Sequence, residues 1–170
     1  MSKPYSGSEN SRKIRKLGLL LSALLLVGCS VQPQSIPSPS IEQTSTNDGF
    51  MTYSQMVDQY EAAQTSMPLA PGDLYPPFPD GYDKSGRYQA MYGQVIAFGV
   101  YQCSWESEWL TTRTTDSDRA STALSVLLKI PENIVFVQTY DSSLQTVMTD
   151  AYNKASLGDP SGVQSLAAAC

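Results

Sequence analysis

The chain contains no histidine. That absence excludes Ser-His-Asp and Cys-His nucleophilic catalysis, HExxH zinc sites and most other catalytic metal centres, because each needs an imidazole as base or ligand. Carboxylate-only chemistry, such as glycoside hydrolysis by two acids, survives the exclusion. No GxSxG elbow, SxxK pair or Gly-rich phosphate loop occurs either, so the familiar serine-nucleophile and nucleotide-binding signatures are missing. Long apolar runs are also scarce. The longest near the N-terminus is Leu17–Val27, well short of the roughly 20 residues a spanning helix needs. No repeat of domain-building length is visible. Cysteine occurs only at Cys29, Cys103 and Cys170.

What is there begins with a processing signal. Lys3, Arg12, Lys13, Arg15 and Lys16 precede the apolar run and face a single acid, Glu9. A basic flank followed by an h-region of this length has the form of a signal peptide. The run ends in Leu26, Val27, Gly28 and Cys29. This tetrad resembles the lipobox of bacterial prolipoproteins: an aliphatic residue, a tolerant position, a small residue and the acceptor cysteine. The resemblance implies a diacylglycerol, carrying palmitate-class acyl chains, joined to the Cys29 thiol as a thioether. It implies cleavage between Gly28 and Cys29, with an extracytoplasmic protein anchored to the bacterial cell membrane. Two acyl chains hold where one binds only reversibly.

Removing residues 1–28 takes away five basic residues and one acid, which leaves six Lys/Arg against fifteen Asp/Glu, a formal charge of −9. Nucleic acid and anionic headgroups would repel such a chain, so no nucleic-acid partner is expected. The membrane is reached through the lipid, and an envelope protein is the expected macromolecular partner.

With Cys29 lipidated, Cys103 and Cys170 remain to pair in an oxidising compartment; two free thiols are the alternative. Residues 29–48 are rich in Ser, Thr, Gln and Pro and lack aromatics, which predicts a disordered tether between anchor and domain. Residues 49–170 read as one small, mainly all-α domain with a long central helix.

Helical spacing recurs through that domain. Phe50, Tyr53, Met56, Val57, Tyr60 and Ala63 predict a helix capped near Asn47 or Asp48. The segment 67–86 carries five prolines and reads as a loop; its Leu74, Tyr75, Phe78 and Tyr82 either pack on the core or form a recognition edge. Residues 86–112 predict the central helix, with a strand through 94–101 as the alternative. Gly93 and Gly99 within it would permit close approach by a neighbour. Ala120, Ala123, Leu124, Leu127 and Leu128 mark an inward face on a helix from Ser117 to Lys129, started by Asp116 and stopped by Pro131. Residues 133–140 fit a short strand or an apolar connector. Leu144, Val147, Met148, Ala151, Tyr152 and Ala155 mark another inward face, with Gly158 as C-cap. Pro160 opens a final short helix.

Candidate chemistry clusters at residues 105–109, WESEW. Trp105 and Trp109 share a helix face and suit either a sugar-stacking ligand platform or the core. Glu106 and Glu108 lie two apart, so they point to different faces and do not pair. Asp73, Asp80 and Asp83 sit in the loop, but their spacing does not match an EF-hand, and turn chemistry accounts for them. No metal and no cofactor is expected. The run of Cys103, Trp105, Glu106, Trp109 and Leu110 with a C-terminal cysteine is similar to small uncharacterised actinobacterial lipoproteins and secreted proteins. That likeness implies a helical, disulfide-linked domain and carries no activity. The leading functional expectation is a non-catalytic binding or accessory module of the envelope. The alternative is a carboxylate-dependent hydrolase of cell-wall polymer, using Glu106 or Glu108 with a loop aspartate.

Overall fold

The structure is a computed structural model that describes residues 49–170. The readings placed on residues 1–48, including the signal peptide, Leu26, Val27, Gly28, Cys29, the tether and the caps at Asn47 and Asp48, lie outside the described residues.

The domain is mainly helical. Phe50–Thr52 forms a short strand, β1, and Tyr53–Ser66 the first helix, α1. The helix therefore starts later than its apolar spacing predicts. Thr52 is the true N-cap: its hydroxyl accepts from the Gln55 amide while Gln55 returns a bond to the Thr52 amide, a reciprocal capping box. β1 pairs antiparallel with β2, Arg87–Gln89, with Met51 opposite Tyr88. This pair closes the long Pro-rich loop at its base.

Helix α2, Tyr92–Thr112, is the predicted central helix, about 30 Å long at 1.5 Å per residue. Helices α1, α3, α4 and α6 pack on it directly, and α5 reaches it through α3 and α6. At Gly93 α1 and α2 are in close contact, with the Met56 carbonyl occupying the place a Cβ would need. Gly99 differs from expectation: no atom lies near its absent Cβ, so its role is not close helix packing.

Asp116 caps α3, Ser117–Leu127, by accepting from the Arg119 amide. A 3-10 turn at Ile130–Glu132 follows, and then α4, Ile134–Thr139. The segment 133–140 is thus neither strand nor irregular connector. Asn133 caps α4 through the Val135 amide, and Gln145 closes its far end by donating to the Tyr140 carbonyl at 2.7 Å. Helix α5 runs Ser142–Ser156 under an Asp141 cap, and α6 runs Ser161–Ala167 after Pro160. Gly158 takes a φ of +92° between them, as a C-cap in the left-handed region does.

The core gathers Tyr60, Phe98, Trp105, Trp109, Leu127, Ile130, Phe136, Met148, Tyr152 and Val163. The inward face of α5 is narrower than its sequence suggests. Met148, Ala151, Tyr152 and Ala155 are buried, but Leu144 is 38% and Val147 58% exposed. Likewise Leu127 is buried while Leu128 is 39% exposed. Small residues set this geometry: Gly162 of α6 lies directly against Ala151, so α5 turns its Ala stripe inward and its larger aliphatics outward.

Candidate functional site

The site is built around the middle of α2. Cys103 lies one turn before Ser107 on this helix, and Cys170 lies just past α6. Their sulfurs are joined, so the expected disulfide is present and the free-thiol alternative is not. It ties α2 to the end of α6 across 67 residues of chain. On the chain-entropy account a loop of this size contributes about 4 kcal/mol.

Beneath the disulfide lies Glu106, fully buried. Its Oε1 accepts twice, from the Tyr152 hydroxyl at 2.7 Å and from Gln102 Nε2 at 2.9 Å. Its other oxygen, Oε2, lies 4.0 Å from Cys170 Sγ. Desolvation pushes the Glu106 carboxyl above its ordinary range, and the Tyr152 and Gln102 bonds pull the other way without cancelling it. A buried carboxyl with a raised pKa holds its proton to higher pH than an exposed one. With Oε1 committed to two donors, that proton belongs on Oε2, which faces sulfur.

Glu108 points elsewhere. Arg119 of α3 clamps it with two bonds of 2.7 Å, Nε to Oε1 and Nη2 to Oε2. The two acids therefore do not meet, as their spacing predicts, and each is committed to a bond within the fold. Neither lines either of two shallow grooves found among the described residues.

Trp105 and Trp109 are also core residues, 7% and 4% exposed. Trp105 Nε1 donates to the Pro68 carbonyl at 2.9 Å, and the Arg113 guanidinium lies over the Trp109 ring. A stacking platform needs an open ring face, so the ligand-platform reading of this pair gives way to packing. Trp105 instead helps pin the Pro-rich loop. Ser104 joins it by accepting from the Ala70 amide and donating to Asp73, while Tyr60 and Tyr75 donate to the carbonyls of Pro76 and Met67. Tyr75 and Phe78 pack against the core, whereas Leu74 is 88% exposed.

The disulfide opens onto one of the grooves. This depression of about 510 Å³ is lined by Leu74, Ile96, Gly99, Val100 and both cysteines, with Asp73 at its edge. Gly99 is part of this lining, and the place of its absent side chain is open space. Sequence reasoning identified both cysteines but not the groove or the acid behind it. A signal was present: Gln102 and Glu106 occupy the same stripe as Phe98, Trp105 and Trp109, and polar groups in an apolar stripe require each other.

Among the described residues no group of three His, Cys, Asp or Glu side chains is placed to hold a metal ion. Among them, too, no helix is long and apolar enough to cross a membrane. Comparison of the chain with protein-family models, curated proteins and solved structures found no match.

Proposed function

We propose that the chain is a bacterial lipoprotein, held outside the cell membrane by a diacylglycerol on Cys29, and that its domain is a non-catalytic binding or accessory module for another envelope protein. The observation that carries this reading is that neither α2 acid is presented to a groove where polymer could lie. Glu106 is sealed under Tyr152 and Gln102, and Glu108 is clamped by Arg119. A hydrolase of cell-wall polymer would need one of them presented to substrate beside a loop aspartate. The disulfide supports the compartment, since such bonds persist where the surroundings are oxidising. The exposed aliphatics Ile134 and Val137 on α4 and Leu144 and Val147 on α5 supply contact area for a protein partner. The acidic balance of residues 29–170 favours a partner carrying basic groups.

The test is intact mass and non-reducing peptide mapping of the protein extracted from the native membrane fraction. The reading requires a chain beginning at diacylated Cys29 and a Cys29→Ser variant that leaves the membrane fraction. An uncleaved, unlipidated chain would remove the anchor and with it this function.

A further inference from the structure

We infer that the Cys103–Cys170 disulfide is a thiol–disulfide exchange site, in which an incoming dithiol attacks Cys103 and Glu106 protonates the departing Cys170 sulfur. Three features of the geometry meet at this bond. Both cysteines line an open groove, so the bond is reachable from outside. Gly99, one turn ahead of Cys103, lines the same groove and places no side chain in it. On the opposite side Glu106 is fully buried, and its one oxygen not engaged by Tyr152 or Gln102 faces Cys170 Sγ.

Anchoring Tyr152 and Gln102 engages only Oε1 of Glu106, and a disulfide serving only as a staple has no use for the second oxygen at its back. An apolar side chain would fill the same volume without the desolvation cost of a carboxyl. Exchange does have a use for it. Departure of a thiolate is faster when the leaving sulfur is stabilised or protonated, and a positioned acid supplies that proton within the transition state.

The step balances as follows. One thiolate of the dithiol forms a bond to Cys103 Sγ, and the Cys103–Cys170 bond breaks with its electron pair on Cys170. Cys170 takes the Oε2 proton and becomes a thiol, and Glu106 becomes a carboxylate held by Tyr152 and Gln102. The second thiolate of the dithiol then attacks its own sulfur in the mixed disulfide. Cys103 is released as a thiolate and the donor is oxidised to its internal disulfide. Glu106 regains its proton from solvent. The protein is reduced by two electrons and the dithiol oxidised by two. The groups facing Glu106 are Gln102 of α2, Tyr152 of α5, Tyr140 at the end of α4, and Cys170. Burial and the nearby Glu106 raise the pKa of both tyrosines, so both stay neutral through the range where the carboxyl titrates.

Two measurements on the detergent-solubilised full chain test this. The first uses a cationic monothiol, cysteamine, with free thiols blocked at early times and the adduct mapped by mass. The adduct is expected on Cys103 with Cys170 blocked as the free thiol; an adduct mainly on Cys170, or equally on both, overturns the assignment. The second follows reduction by dithiothreitol across pH, expressed per thiolate. The rate constant is expected to fall as pH rises through the Glu106 titration, and Glu106→Gln to be flat and at least about tenfold slower at the acid end. A flat profile in the unsubstituted protein overturns the proposal even if the variant fails to fold. Reduced thioredoxin at equal dithiol concentration separates the sources: a faster rate than dithiothreitol indicates a protein donor, a slower one a small dithiol.

Discussion

The Tyr152 hydroxyl donates to Glu106 Oε1 at 2.7 Å, across 46 residues of chain and at the centre of the domain. Both side chains are fully buried, so neither has water as a substitute partner. The bond ties α5 to α2, two helices whose other link runs through α3 and α6. Tyr152→Phe keeps the ring and removes only the donor. Gln102 still donates to the same oxygen, so the acceptor is not orphaned. We expect a loss of about 1–2 kcal/mol in denaturant unfolding, with secondary structure unchanged.

Glu106 also gives the domain a pH signature. Its pKa is raised in the folded state from an ordinary value of 4.5, so the folded protein holds a proton that the unfolded chain releases. Below 4.5 both states are protonated and nothing changes. As pH rises past 4.5 the unfolded state gains from ionising first, and stability falls by up to about 1.4 kcal/mol per pH unit until the buried carboxyl itself titrates. Asp83, Asp141 and Asp159 shift the other way, lowered by bonds from Ser85, Ser143 and Ser161. Their contribution is present above their ordinary value of 3.8 and is lost only below it, so it does not mask the Glu106 slope. Unfolding free energies measured from pH 4.5 upward should decline in the unsubstituted protein and stay level in Glu106→Gln.

These two residues mark the boundary of what the sequence reveals. Helices α1, α2, α3 and α5 are legible because each repeats apolar residues at three and four, α6 is announced by Pro160 at its start, and the disulfide follows once one cysteine is assigned elsewhere. The β1–β2 pair is not legible: its strands are three residues long, too short to show alternation. Helix α4 is hidden for a related reason. Its Ile-Val-Phe-Val run is rich in β-branched residues and has no period, and the Asn133 cap, the carbonyls gathered by Gln145 and the burial of Val135 and Phe136 hold it as a helix. The acid site is half legible. Spacing separates Glu106 from Glu108, but the depth of Glu106 depends on Tyr152, which no local pattern connects to it.

Removal of the disulfide should lower the stability of the domain. Cys103→Ser with Cys170→Ser frees a loop of 67 residues, for which chain entropy predicts about 4 kcal/mol. The double variant should therefore unfold at much lower denaturant concentration, with an unchanged helical spectrum before the transition. An unshifted midpoint would show that the staple constrains neither state.

The two α2 glycines offer an internal control on the packing. They share a helix and differ only in what stands opposite. Gly93 faces the backbone of α1, where the Met56 carbonyl and its carbon fill the position of a Cβ. Backbone cannot rotate aside as a side chain can, so Gly93→Ala must push α1 away and disturb Met56 and Tyr60, both buried. The expected loss is about 1–3 kcal/mol, the usual cost of overpacking. Gly99 faces open space at the groove. There Ala adds no clash and removes the conformational freedom of glycine in the unfolded chain, so Gly99→Ala should gain about 0.5–1 kcal/mol. Parallel urea titrations read both signs at once. Opposite shifts support the packing of α1 on α2, whereas two gains would mean that the helices stand further apart than Gly93 implies.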